Sequence, residues 1–374
     1  MKKIIGIVCI LLCFGSMFVF ARGSSDNSST VTEIKFWSLF TGGDGEFFDA
    51  MVEEFNRTHP DIRVTSDTVK FDNYYTRLTA ALTSKTAPDV VVIHQSNLLP
   101  YEQGGTLIAL DSLLEDANAP LSDFVPAALD PCRYEGVLYA LPLDVHPIIL
   151  YYNTELFEKA GITKPPQTFE EFVAAAEAVE ATGSIGLSME NTTAASNAYT
   201  LARTFISGLA QLGGSVLTTD NSKADFNNAS GIQVVGDIID LVNKYGVVPK
   251  GYDYDTAVTD FRLGKAGMHI NGVWVTGTFE SQADLNFAAI PFPPLYGEQV
   301  ALAGSHTLAL PVQKTSDPQK LAAAVEFMLW MTEHGELWAK AGHIPIRTSV
   351  FEKEAFTSLP YRADYADVDS VIAH

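Results

Sequence analysis

The sequence predicts an α/β protein built as two lobes, and three observations carry that reading. Strand and helix signals alternate from residue 32 onward. Val90-Val-Val-Ile93 is a short unbroken apolar run, as a strand covered on both faces requires. The chain has 374 residues, more than one hydrophobic core ordinarily supports. With 47% hydrophobic and 18% charged residues, its composition is that of a packed globular protein.

The first segment stands apart from the fold. Lys2 and Lys3 precede an uncharged, mostly apolar stretch from Ile4 to Phe20, and Val19-Phe20-Ala21 ends it as a small-x-small site. This is the layout of a secretory signal peptide over 1–21, followed by a polar tether over 22–31. An uncleaved anchor is the alternative, since seventeen residues approach the shortest membrane span. A lipoprotein signal needs a Cys after small residues. Cys13 follows Leu11-Leu12 and no Cys lies near Ala21, which argues against lipidation. Cleavage would leave Cys132 as the single cysteine, so no internal disulfide is expected and the thiol reads as buried apolar filler. Removing Lys2 and Lys3 takes 24 basic residues to 22 against 45 acidic ones, and the net charge from −21 to −23. Such a surface repels nucleic acid and anionic lipid.

Along the chain, Ile34 and Phe36 mark a first strand, followed by the loop Leu39–Gly45. Phe47, Phe48, Met51, Val52 and Phe55 recur at helical spacing up to Pro60. Ile62-Arg-Val64 opens a second strand, and Asp72 is placed to cap a helix whose stripe holds Tyr75, Leu78 and Leu82. Ile148–Tyr152 is another buried strand. Thr168-Phe-Glu-Glu171 is a capping box. Two further helices carry Leu201, Phe205, Leu209 and Leu212, and then Ile232, Val235, Ile239 and Val242. Phe261 to Ile270 reads as helix end, turn and strand. Asp317-Pro318 caps a last apolar helix with Leu321, Val325, Met328 and Leu329.

Catalytic and metal signatures are missing: no H-E-x-x-H, G-x-S-x-G, P-loop or C-x-x-C. The eight His residues lack close ligand spacing, so neither a metal nor another cofactor is expected. Asp44 with Glu46 could be imagined as a glycosidase pair, but adjacent acids at a helix start more often serve its dipole.

Several blocks resemble family-1 extracellular solute-binding proteins, the maltose-binding-protein-like components of ATP-binding-cassette importers. They are Phe36-Trp37 with Phe55–Val64, Pro88-Asp89-Val90-Val91 with Gly104–Leu110, Gly136–Pro142 through Leu150-Tyr-Tyr-Asn153 with Pro165–Phe172, Phe261–Trp274 and Gly342-His-Ile-Pro-Ile-Arg347. The resemblance spans roughly residues 32 to 350. Members of that family usually continue past the Ile-Pro-x-Arg turn, whereas this sequence ends at His374. It implies a type II periplasmic-binding-protein fold with a ligand cleft between lobes. One lobe would hold 32–143 plus 289–313, the other 144–288 plus 314–374, with crossings near Asp144–Pro147 and Ile290–Pro293. It implies an exported, non-catalytic monomer that delivers a sugar to permease subunits by hinge closure. A secreted hydrolase using Asp44 or Glu190, a sensor subunit, and a polyamine or metal binder remain alternatives.

A sugar site needs aromatic platforms and a few convergent polar groups. Trp274 sits where family members place a cleft aromatic, while Trp37 reads as core and Trp330 and Trp338 as helix packing. Ser38, Thr41 and Asp44 lie in the loop after the first strand, which faces the cleft in the family. His94, Gln95 and Ser96 follow the end of a central strand, where open sheets bind ligands. Asp144 and His146 lie at the first crossing, and Glu190 and Asn191 after a later strand. Ser305 and His306 lie in Ala303–His306, and Arg347 closes the Ile-Pro-x-Arg turn. Convergence of His94, His146 and His306 would make ligand affinity depend on pH.

Overall fold

The computed structural model describes residues 31–192 and 199–362. The expected leader, the tether over 22–30 and the tail after Arg362 lie outside them. The strands that build two sheets are β1 (Thr32–Ser38), β2 (Ile62–Thr68), β3 (Val90–His94), β4 (Ala140–Pro142), β5 (Asp144–Asn153), β6 (Ile185–Ser188), β7 (Ala266–Gly272), β8 (Phe287–Pro291) and β9 (His306–Ala309). The longer helices are α1 (Gly45–Thr58), α2 (Phe71–Ser84), α3 (Phe169–Glu180), α4 (Tyr199–Gln211), α5 (Ala229–Asn243), α6 (Tyr254–Arg262) and α7 (Pro318–Glu333).

The first sheet runs β2-β1-β3-β9-β4, and the second β8-β5-β7-β6. β1 pairs in parallel with both β2 and β3, while β9 lies antiparallel between β3 and β4. All of β3 is buried, which explains its unbroken apolar run. Under this sheet Phe36 stacks on Phe48 of α1 at 5.1 Å and meets Phe327 of α7 edge-on at 5.6 Å. In the second half Phe172, Ala176 and Val179 of α3 bury against Leu187 and Met268. Thr168 caps the helix as expected, its Oγ1 accepting from the Glu171 N–H, while the Glu171 carboxylate reaches back to the Gln167 N–H rather than to that of Thr168.

Four expectations are corrected. Helix α7 packs on β1 and α1, so this part of 314–374 joins the first sheet because its apolar face meets Phe36 and Phe55. Residues 289–291 pair with β5 in the second sheet, and the return crossing falls later, between Gly304 and His306. Ile232, Val235 and Ile239 of α5 are exposed; Gly231, Val234 and Leu241 form the buried face instead. Trp37 is half-buried under the Arg77 guanidinium, 3.9 Å from the ring centroid, rather than in the core. Cys132 is fully buried and unpaired, with its thiol pushed up to about 12 by burial.

Three segments pass side by side between the sheets. The chain leaves β4 and enters β5 at Asp144. Ala303-Gly304 then pairs with Pro147-His146, and Ile344-Pro345 pairs with Val145-Asp144. Ahead of the last pair, Gly342 turns the chain at φ +118°, and a Cβ there would stand 2.0 Å from the Val273 carbonyl oxygen. Only glycine fits. Gly342→Ala is expected to cost about 2–4 kcal/mol in urea unfolding; an unchanged midpoint would show that this turn does not constrain the crossing.

Candidate functional site

The crossing strands converge on one carboxylate. Asp144 Oδ1 accepts from His146 Nδ1 at 2.9 Å and from the His306 backbone N–H at 3.0 Å. Its Oδ2 accepts from His306 Nδ1 at 2.8 Å and Trp338 Nε1 at 2.7 Å, and lies 3.0 Å from His343 Nδ1. His343 also places Nε2 3.3 Å from Asp44 Oδ2 and stacks on Trp338 at 4.2 Å. Every member of this group is buried. Burial alone would raise Asp144, but His306, His343 and His146 hold its carboxyl well below the ordinary range. Burial would lower His343, yet Asp144 and then Asp44 lift it to about 9. It is therefore an imidazolium between two carboxylates. His146 is pushed well below its ordinary value by burial and by His306, with Asp144 opposing. Its Nδ1–H is committed to Asp144, so the neutral ring carries a bare lone pair on Nε2. That nitrogen is buried without a protein partner.

In front of the carboxylate lies a cavity of about 290 Å³ with walls from both halves of the fold. Leu39, Thr41, Gly42, Phe71, His94 and His306 come from the first-sheet side; His146, Tyr199, Tyr254 and Trp274 come from the second. Lys70, Asp72 and Asp255 complete the lining. Trp274 is fixed by an Nε1–H bond to the Tyr254 hydroxyl at 2.8 Å. His94 is held by Tyr75, whose hydroxyl accepts the His94 backbone N–H at 2.9 Å and meets Nδ1 at 2.6 Å. His94, His146 and His306 do converge, with ring centroids 4.2 to 5.6 Å apart.

The expected site residues divide accordingly. Thr41, His94, His146, Trp274 and His306 line the cavity, and Asp144 stands directly behind it. The others are engaged elsewhere. Ser38 bonds Thr68 at 2.9 Å, and Asp44 holds His343 and the Gly42 N–H. Gln95 donates to the Ala128 carbonyl, Ser96 is exposed, and Ser305 donates to the His306 carbonyl. Glu190 accepts the N–H groups of Thr200 and Leu201, anchoring the start of α4, and Asn191 spans the carbonyl of Pro249 and the N–H of Gly251. Arg347 donates to Thr332 Oγ1 and the Leu329 carbonyl at the end of α7, so it is a structural clasp.

Sequence reading missed Lys70, Phe71, Tyr199, Tyr254 and Asp255, and the signal was thin. Asp72 was expected to cap α2, but the helix begins at Phe71 with Lys70 at its N-cap, and Asp72 turns to the cavity. It also missed Arg203. This guanidinium is 7% exposed, lies over the rings of Tyr199 (4.4 Å) and Trp274 (5.4 Å), and donates to the Tyr199 hydroxyl. Its Nη1 has no protein partner, and no carboxylate of the described residues lies within ion-pair distance. A buried unpaired polar atom costs about 1–3 kcal/mol until it is satisfied.

Asp144, His146, His306 and His343 have metal-ligand chemistry, with donor atoms within 4.8 Å of one another. The arrangement suits protons better than a cation. The imidazole Nδ1 atoms of His146 and His306 and the Trp338 N–H already donate to the carboxylate, and His343 is itself cationic. His343 has its folded value raised above the ordinary 6.5, so it stabilises the fold fully below pH 6.5 and loses that contribution as pH rises through about 9. Between pH 6.5 and 8.5 the His343 contribution to the unfolding free energy should drop by about 2 kcal/mol, and His343→Gln should remove that component of the slope. Urea titrations across the range check it; equal slopes in both proteins would overturn the imidazolium.

The profile of the bacterial extracellular solute-binding proteins matches residues 41–337. A putative binding protein of Brucella abortus is 25% identical over 67% of this chain, which spans 61% of that relative's length. The arabinooligosaccharide-binding protein of Bacillus subtilis is 26% identical over 98% of this chain and 85% of its own. Among solved structures, the GacH receptor of Streptomyces glaucescens, known unliganded and with acarbose, superposes with a TM-score of 0.80 at 24% identity, covering 92% of this chain and 88% of that one. Two-lobed proteins of that kind share the present fold. The chain belongs to the bacterial extracellular solute-binding protein family.

Proposed function

We propose that this protein captures a sugar or short oligosaccharide in the cavity between its two sheets and passes it unchanged to the permease subunits of an ATP-binding-cassette importer. The observation that carries the reading is the lining itself. Phe71, Tyr199, Tyr254 and Trp274 offer ring faces for sugar C–H groups, while His94, His146, His306, Lys70, Asp72 and Asp255 supply hydroxyl partners. The relatives support it, since the Bacillus subtilis protein is named for arabino-oligosaccharides. The volume lies at the small end of ordinary ligand pockets, which favours a short guest.

Because the lining comes from both halves, ligand on one wall recruits the other, and closure is the signal an importer reads. The leader motif and the family fit export of a monomer to the cell exterior or periplasm. A hydrolase built on Asp44 or Glu190 is disfavoured, because the first carboxylate pairs with His343 and the second anchors α4. Neither lines the cavity.

A thermal-shift panel of arabino-oligosaccharides, maltotriose and tagatose should raise the melting temperature for at least one member. Trp274→Ala should weaken that sugar tenfold or more, a loss of about 1.5 kcal/mol, by calorimetry. Small-angle scattering should show compaction with saturating sugar. Cleaved sugar after long incubation would establish the hydrolase instead.

A further inference from the structure

Tyr75 and His94 are joined twice. The Tyr75 hydroxyl accepts the His94 backbone N–H at 2.9 Å and lies 2.6 Å from His94 Nδ1. Three facts bear on which side owns the proton in the second contact. Burial pushes the Tyr75 hydroxyl up to about 12, although the His94 N–H and the Asn97 side chain oppose it, so it is a phenol with one proton to give. Burial pushes His94 well below its ordinary value, with His306, His146 and Arg203 adding to the shift and Asp144 opposing it, so the ring is neutral and has one bare nitrogen. A contact of 2.6 Å suits a hydroxyl donor, whereas a neutral ring N–H would settle at about 2.9–3.0 Å.

Resting on the sugar reading above, we infer that Tyr75 is a positioning residue of the binding site: its hydroxyl donates to His94 Nδ1, which fixes the His94 proton on Nε2 and gives the cavity a hydrogen-bond donor there. A guest can reach that nitrogen. His94 lines the cavity with 8% of its surface accessible, and its Nε2, unlike that of His146, is not sealed in without a partner. Tyr75 is not part of the lining and acts through the ring. The sense is opposite to that at the other two histidines, where Asp144 draws the Nδ1 protons inward. Phe71 stands edge-on to His94 at 5.9 Å, to Tyr75 at 6.3 Å and to Tyr199 at 5.7 Å, so an aromatic platform for sugar C–H groups borders the donor. A donor at this point selects a guest that brings an oxygen acceptor, such as a sugar hydroxyl or ring oxygen. An ammonium group only donates, and meets another donor there.

Imidazole nitrogen NMR on the full, unliganded chain at neutral pH reads the tautomer, and the signals lost in His94→Leu are those of His94. The expected spectrum has a bare Nδ1 and a protonated Nε2 at His94. Tyr75→Phe should move proton population to Nδ1, a change that a packing role alone would not produce. Calorimetry with maltotriose, arabinotriose and tagatose, and with spermidine as an ammonium probe, reads the consequence, and the melting temperature of each variant checks folding. A sugar should bind and spermidine should not. His94→Leu and Tyr75→Phe should each weaken that sugar about tenfold, and the double variant should lose little more than His94→Leu alone, since Tyr75 acts through the ring. A proton on Nδ1 in the unaltered protein, a tautomer indifferent to Tyr75→Phe, unchanged sugar affinity in folded Tyr75→Phe, or tighter binding of spermidine than of any sugar overturns the assignment. If none of the sugars binds the unaltered protein, the sugar reading falls and the selection with it; the NMR result then shows separately whether Tyr75 sets the ring.

Discussion

The Asp144 carboxylate is the point on which the two halves of this protein meet. Removing a carboxylate from water costs several kcal/mol, and only dense compensation makes it tolerable. Here the compensation comes from three separate stretches of chain: His146 on the same strand, His306 on β9, and Trp338 with His343 near the last crossing. Each partner lies on or next to a segment that passes between the sheets. Losing the carboxylate would strand those donors together, so the charge and the crossing geometry are interdependent.

That anchoring decides which chemistry the cavity presents. By binding Nδ1 of His146, Asp144 fixes the tautomer and leaves Nε2 as an acceptor. Tyr75 performs a comparable service for His94 from α2. The aromatic wall is held as carefully, with Trp274 fastened to Tyr254 and its neighbour Tyr199 beneath Arg203. The cavity therefore has fixed walls on each side, and the polarity of His146 and His94 is set from behind by Asp144 and Tyr75.

Much of this was legible in the sequence, and the part that was not has a physical explanation. Local signals survive well. The apolar run at Val90–Ile93 is the buried central strand, and Thr168–Glu171 and Asp317-Pro318 do begin helices. The three histidines and Trp274 were found because strand ends and a recognisable block mark them. Long-range facts were lost. Nothing local says that α7 returns to the first sheet, because an apolar stripe names no partner. Likewise the Ile232, Val235 and Ile239 stripe on α5 has helical spacing yet faces outward. Arg203 and Tyr254 were invisible because each sits mid-helix or at a helix start, and only tertiary folding carries them to the cavity. Polar loop residues such as Gln95, Asn191 and Arg347 were over-read, since backbone carbonyls claim their side chains first.

Three adjacent connections, paired antiparallel, also set what motions the molecule can make. A single tether would let one half swing and twist freely about it. Three strands abreast, paired edge to edge at Pro147-His146 and at Val145-Asp144, resist shear and torsion together. What remains soft is a bend across their common plane, so the halves possess one cheap degree of freedom, and it opens or shuts the gap rather than skewing it.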